Sequence, residues 1–231
     1  MRASILAEGA REGEALRRRL AARGVLAVDV MGSPGSGKTT LIEALAAALG
    51  ARLRLAVIEA DLESRVDTDR LEASGIRAVQ LRTGGFCHLD AAMLESGLAA
   101  LGLGADSRGA APLDLVLVEN VGNLICTAQA DCGAHANLAL LSVPEGDDKP
   151  LKYPVMFAAA DFVAVSKADW LGREPFDLEA FRARVRVLNP AAPVHAVSAR
   201  AGTGIAELAA WIEERRGRLV RGDWKGPGRR R

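Results

Sequence analysis

Gly32-Ser33-Pro34-Gly35-Ser36-Gly37-Lys38-Thr39 fits the pattern G-x-x-x-x-G-K-[ST], and no other feature limits the possible folds of this chain so sharply. The flanks supply the context that gives the pattern meaning. Val25 to Met31 reads as a buried strand, and residues 38–49, rich in Ala and Leu, read as a helix. Glycines in such a strand-to-helix turn let successive backbone N–H groups close around a phosphate anion, and the helix N-terminus adds partial positive charge. Lys38 can reach the β- and γ-phosphates, the Thr39 hydroxyl can hold Mg²⁺, and Thr40 continues the cradle.

The rest of the chain repeats the same alternation. Apolar runs of strand length occur at Leu53–Glu59, Ala78–Leu81, Leu113–Glu119, Leu138–Val143, Phe162–Ser166 and Val194–Ser198. Helical patterns lie between them at Val66–Ser74, Asp90–Leu101, Leu178–Leu188 and Ile205–Val220, with a lead-in helix over residues 3–23. Strands alternating with helices predict βαβ units: an α/β P-loop NTPase fold, a mostly parallel sheet flanked by helices in a single domain. The expected organisation is a helical extension over 1–24, a nucleotide-binding domain with its metal site over 25–220, and a flexible basic tail over 221–231. Gly102 to Pro112 reads as the flexible loop inside the fold.

Composition removes other classes. Thirty Lys and Arg against 29 Asp and Glu leave a formal charge of +1, which predicts no nucleic-acid partner. The longest stretch free of charged residues, Cys132 to Pro144, is too short to span a bilayer, and residues 1–23 lack the apolar core of a secretory signal. Three cysteines do not make a disulfide scaffold, so a cytoplasmic protein with reduced thiols and no membrane partner is expected.

Later segments choose the nucleotide and place the cation. Ser166-Lys167-Ala168-Asp169 follows a strand, where guanine-specific proteins carry N-K-x-D. A carboxylate at Asp169 accepts from guanine N1 and N2, a donor pair that adenine lacks, and the Lys167 stem packs on the base. Ser198-Ala199 follows the next strand as a second guanine loop. Ser166 stands where the motif carries Asn. Asp61, placed just past the second strand, and Glu119, which ends the strongest apolar strand, put carboxylates at the strand ends where α/β folds bind ligands. Asp67 and Asp69 follow on a first helical turn, and Asp67 joins Thr39, Asp61 and Glu119 as a Mg²⁺ candidate. Gly122 can bring its N–H close to a γ-phosphate because no Cβ intervenes. Lys38, Thr39, Asp61 and Glu119 form the candidate catalytic set. No residue stands out as a general base.

Cys87-His88 and Cys126 fall in loops beside this crevice, and thiolate with imidazole suits Zn²⁺ or Ni²⁺. Three ligands leave a fourth position for another residue, a water or a second subunit. A buried Cys and a satisfied His are the plainer alternative, and Cys132 and His135 read as core or loop residues.

The runs Thr83–Ala91 (TGGFCHLDA), Glu119–Cys126 (ENVGNLIC) and Ser142–Pro154 (SVPEGDDKPLKYP) resemble the HypB family of hydrogenase nickel-incorporation GTPases, over about residues 25–215. That resemblance implies slow GTP hydrolysis and a homodimer formed across the nucleotide face when GTP is bound. It implies a metal site built from Cys87, His88 and Cys126 of both subunits. It also implies nickel delivery to the [NiFe]-hydrogenase large subunit, with the nickel chaperone HypA as partner, and it places Lys149 and Lys152 near the nucleotide or interface. No Cys or His precedes Cys87, so the cysteine- or histidine-rich N-terminal nickel motifs of some members are absent from this sequence. Two other readings are a GTPase regulating a different metalloenzyme or cofactor pathway with a structural zinc, and an ATP-dependent small-molecule kinase.

Overall fold

The computed structural model describes residues 2–61, 64–104, 112–224 and 226, with side chains described from residue 9 onward. Seven strands form one sheet: β1 (Leu26–Gly32), β2 (Leu55–Asp61), β3 (Ala78–Arg82), β4 (Leu115–Glu119), β5 (Ala136–Ser142), β6 (Phe162–Ser166) and β7 (Val194–Ala196). Their order is β3-β2-β4-β1-β5-β6-β7, and every pairing is parallel. Strands buried on both faces read as near-continuous apolar runs, and β1, with all its residues buried, does so apart from Asp29.

The principal helices are α1 (Arg2–Ala22), α2 (Lys38–Leu49), α3 (Val66–Ala73), α4 (Ala91–Ala100), α5 (Cys126–Gln129), α6 (Lys149–Lys152), α7 (Pro154–Ala159), α8 (Leu178–Leu188) and α9 (Ile205–Val220). One face of the sheet packs Leu41, Ile42 and Leu45 of α2 with Leu208 and Ile212 of α9. The other face takes Leu16 and Leu20 of α1 with Leu94 and Leu98 of α4. Arg17 fixes α1 further, donating to both carboxylate oxygens of Asp131 at 2.6 and 2.8 Å. A third apolar group joins Met156 and Phe157 of α7 and Phe181 of α8 to β5 and β6.

Two departures from the sequence reading matter. β2 runs Leu55–Asp61 rather than Leu53–Glu59, so Asp61 is the last residue of the strand and not a loop residue beyond it; its parallel partner is Arg82. The apolar run ends earlier than the ladder, because pairing with β3 continues through polar residues. The short helices α5, α6 and α7 were not foreseen, since four to six residues carry too little periodicity to read. Of the expected flexible loop and basic tail, residues 105–111, 225 and 227–231 lie outside the described residues.

Candidate functional site: a phosphate loop between a base pocket and a thiol pair

The central strand β1 delivers residues 32–37 to the C-terminal edge of the sheet, where its neighbours β4 and β5 diverge into loops. Gly35 and Gly37 adopt φ +73° and +96°, conformations that side chains other than glycine resist. Lys38 is 7% exposed, with Nζ 3.4 and 3.3 Å from the carbonyls of Gly32 and Ser33. Burial pushes its pKa down, while Glu119, Asp67, Glu145 and Glu59 oppose the shift. Ser33 donates to Glu145, which the sequence reading did not single out. Glu145 is also held by the Ser142 N–H and hydroxyl, each at 2.7 Å. That capping box, Ser142-Val143-Pro144-Glu145, was legible as S-x-x-E.

The strand ends collect carboxylates. Thr39 Oγ1 donates to Glu119 Oε1 at 2.9 Å. Glu119 Oε2 is buried with no hydrogen-bond partner among the described residues. Burial pushes the Glu119 carboxyl up to about 7, with Lys38 and Thr39 pulling the other way. Glu59 is its register partner on β2 and was missed from sequence, because the pairing is non-local. It accepts from the Thr68 hydroxyl at 3.2 Å. Burial first, then the charges of Glu119 and Asp61, raise it to about 8. Asp67 is half-buried, and its charge reaches Lys38, Glu119 and Glu59. Asp61 accepts the Ser64 N–H at 2.8 Å, while Asp69 is exposed and pairs with Arg65. Gly122 lies against the loop itself: a Cβ there would sit 2.8 Å from the Pro34 ring. The unpartnered Glu119 oxygen, next to the Thr39 hydroxyl, is an oxygen donor of the kind a hard divalent cation takes.

On the other side of the loop is a cavity of about 240 Å³, lined by Ser36, Gly37 and Thr40, by Ser166, Lys167 and Asp169, and by Ser198 and Ala199. Ser166 Oγ donates to the Ser36 carbonyl at 2.6 Å, and Lys167 Nζ to the Gly35 carbonyl at 2.8 Å. Lys167 has φ +55°, the left-handed region, which turns its stem back along the pocket. Asp169 accepts from Ser198 Oγ at 2.6 Å, and that bond lowers its pKa. Trp170 and Arg200 also line the cavity and were not foreseen.

The thiols lie on the opposite flank. The Cys87 side chain is close enough to Cys126 to raise the Cys126 pKa, and Cys87 Sγ is 3.7 Å from His88 Nδ1. Among the described residues no group of three or more His, Cys, Asp or Glu is arranged to hold a metal. Two asparagines mount these loops. Asn123 donates its N–H to the Gly32 carbonyl at 3.1 Å, and its Oδ1 accepts the Ile125 and Cys126 N–H groups at 2.7 and 2.8 Å. Asn120 accepts the Leu89 N–H at 3.1 Å and donates to the buried Asp29 at 3.0 and 3.2 Å.

The remaining candidates have partners elsewhere in the fold. His135 Nδ1 accepts the Ala27 N–H at 3.1 Å, which leaves the proton on Nε2 to donate to the Arg17 carbonyl at 3.0 Å; burial pushes its pKa down to about 4. Cys132 lies 3.6 Å from Asp29, and burial pushes its thiol pKa up. Lys149 donates to the Glu145 carbonyl, and both Lys149 and Lys152 pair with Asp148.

A parallel seven-stranded sheet with this loop at its central strand defines a P-loop nucleotide-binding protein. Residues 26–196 match the CobW/HypB/UreG nucleotide-binding domain. The chain is 45% identical over 217 residues to the hydrogenase maturation factor HypB of Azotobacter vinelandii, covering 94% of this chain and 69% of that one. It is 42% identical to the hydrogenase/urease maturation factor HypB of Helicobacter hepaticus, covering 92% and 86%. The crystal structure of Helicobacter pylori HypB in complex with nickel superposes with a TM-score of 0.86 at 34% identity, over 96% of this chain and all of that one. The chain therefore belongs to the HypB hydrogenase maturation factors of the CobW/HypB/UreG family. No helix among the described residues is long and apolar enough to cross a membrane.

Proposed function

We propose that this chain is a cytoplasmic GTP-hydrolysing metallochaperone that passes nickel toward [NiFe]-hydrogenase. The observation that carries the reading is the Asn123 bridge. One residue is bonded both to the first glycine of the phosphate loop and to the turn that presents Cys126. A triphosphate that orders the loop thereby acts on the thiol pair, which is what a nucleotide-dependent metal carrier requires.

In this reading Lys38 leaves the Gly32 and Ser33 carbonyls for the β- and γ-phosphates, and the Gly35 and Gly37 amides cradle them. Thr39, Glu119, Asp67 and Asp61 are the residues that would hold Mg²⁺, which supplies neutralisation of phosphate charge. Gly122, packed on Pro34, senses the γ-phosphate through its backbone. Asp169 selects guanine, with Lys167 and Ala199 around the base. Catalysis consists of positioning and charge neutralisation, so turnover is slow.

Nickel is the cargo. Cys87, His88 and Cys126 supply its ligands, and a second copy completes the set by association across the nucleotide face. Phe86 and Ile125, each directly before a cysteine, are 60% and 50% exposed, apolar surface suited to burial in such a dimer. HypA supplies the metal and the hydrogenase large subunit receives it. The likeness to hydrogenase maturation factors and to a nickel-bound HypB supports this assignment over an ATP-dependent kinase. A structural zinc on the same ligands is the alternative that metal titration separates.

The test is nucleotide and nickel binding on the purified chain, with molar mass in solution. GTP preferred over ATP, nickel lost in Cys126→Ala, and a mass that doubles with a GTP analogue are expected. ATP preference, or nickel uptake unchanged in Cys126→Ala, overturns the reading.

A further inference from the structure

Guanine presents two different edges. Its six-membered ring offers N1–H and the 2-amino group as donors, while N7 of its five-membered ring is an acceptor that needs a donor from the protein. On the guanine reading above, on which this inference rests, Asp169 takes the first edge. With the triphosphate on the loop, N7 then faces the wall where the loop meets the end of β6. The side chain at that wall is Ser166.

Ser166 has one proton, and its Oγ gives that proton to the Ser36 carbonyl at 2.6 Å. The residue is 6% exposed, so water has little access to that bond. Of the other side-chain donors that line the cavity, Trp170 follows directly on Asp169 and the Thr40 hydroxyl sits against Arg70 at 3.2 Å, and the remaining four are engaged or face elsewhere. Lys167 Nζ is on the Gly35 carbonyl at 2.8 Å. Ser198 Oγ donates to Asp169 at 2.6 Å and accepts the Ala201 N–H at 3.1 Å. Ser36 Oγ faces back toward Gly32, where a Cβ would lie 2.8 Å from it. Arg200 stands on the Asp169 side, where its charge lowers the carboxyl pKa.

We infer that Ser166 makes this pocket blind to N7: the hydroxyl braces the phosphate loop and reads no atom of the base, so purine choice rests on the N1/N2 edge alone. An asparagine amide at this position would carry two protons and could do both tasks; a serine hydroxyl can do only one.

The experiment is competition binding to the full chain with GTP, 7-deaza-GTP, ITP and ATP, in the parent and in Ser166→Ala. 7-deaza-GTP keeps the N1/N2 edge and lacks the N7 acceptor; ITP lacks the 2-amino group. In the parent, 7-deaza-GTP should bind within about twofold of GTP, while ITP loses about tenfold, the scale of a hydrogen bond to a carboxylate. Ser166→Ala should weaken GTP and 7-deaza-GTP by the same factor, because only the loop brace is lost. A loss of about fivefold or more for 7-deaza-GTP in the parent, the scale of one neutral hydrogen bond, overturns the inference. So does a GTP to 7-deaza-GTP ratio that changes in Ser166→Ala. Equal binding of GTP and ATP overturns instead the guanine reading beneath it, a result the deaza comparison cannot mimic.

Discussion

The two flanks of the phosphate loop are built in opposite ways. On the base side most of the polar groups that shape the cavity are bonded to one another, Ser166 to Ser36, Lys167 to Gly35 and Ser198 to Asp169, with the buried Ser36 hydroxyl an exception. On the thiol side Glu119 carries an unpartnered buried oxygen, Cys87 and Cys126 are half-buried, and Phe86 and Ile125 stand in solvent. A pocket whose hydrogen bonds are already made selects its ligand without rearranging. A flank with open ligands and exposed apolar surface is incomplete in one chain. The difference teaches that guanine choice and metal handling draw on separate parts of one loop, joined at Gly32.

The largest effect should follow from breaking the loop that both flanks share. Lys38→Ala removes the cation from the phosphate site, and GTP affinity should fall by roughly 100-fold, the scale of charge-assisted bonds to phosphate. Equilibrium titration checks this; GTP binding within a few fold of the parent would mean that the loop is not the triphosphate site. Next, Cys126→Ala should lower nickel affinity by about 10- to 100-fold while leaving GTP affinity within about twofold. A metal titration showing both affinities falling together would erase the division between flanks.

Asn123→Ala sharpens the comparison, because it removes the side-chain cap on Ile125 and Cys126 while the backbone bond to Gly32 survives. Nucleotide and nickel should each still bind, but the change in nickel affinity between GTP and GDP forms should shrink several-fold, on the scale of about 1 kcal/mol of coupling. An undiminished nucleotide effect in this variant would remove the Asn123 turn from the coupling path.

The smallest effect is on pH dependence. Glu59 and Glu119 are raised from the ordinary 4.5 to about 8 and about 7, so the folded chain holds protons the unfolded chain has released. Stability of the nucleotide-free chain therefore falls as pH rises from about 4.5 through about 8. His135, depressed from 6.5 to about 4, acts in the opposite sense, costing stability as pH falls below 6.5, so the interval from pH 6.5 to 8 isolates the glutamates. Glu119→Gln should raise stability at pH 8 by on the order of 1 kcal/mol and flatten that slope. Denaturant unfolding at the two pH values checks it, and a parent with no loss between them would refute the carboxylate account.

What the sequence made legible was local. The phosphate loop, the seven strands and the Ser166–Asp169 and Ser198–Ala199 loops could be read because each is a short pattern at a strand end. What depended on register could not. Glu59 looks like no more than the end of an apolar run until β2 is laid beside β4, and Asp61 was set outside its strand because hydrophobicity ended before hydrogen bonding did. Asn120 and Asn123 lay inside a distinctive run, yet their tasks depend on Leu89, Asp29 and Gly32, which only folding brings near. Glu145 is the exception: its capping box was readable, and only its reach to Ser33 was not.

The coupling of the two flanks is tested most directly by the nickel affinity of the unmodified chain, measured once with a non-hydrolysable GTP analogue and once with GDP. The Gly32–Asn123–Cys126 connection predicts dissociation constants that differ by at least about fivefold. Equal constants in the two nucleotide forms would contradict it.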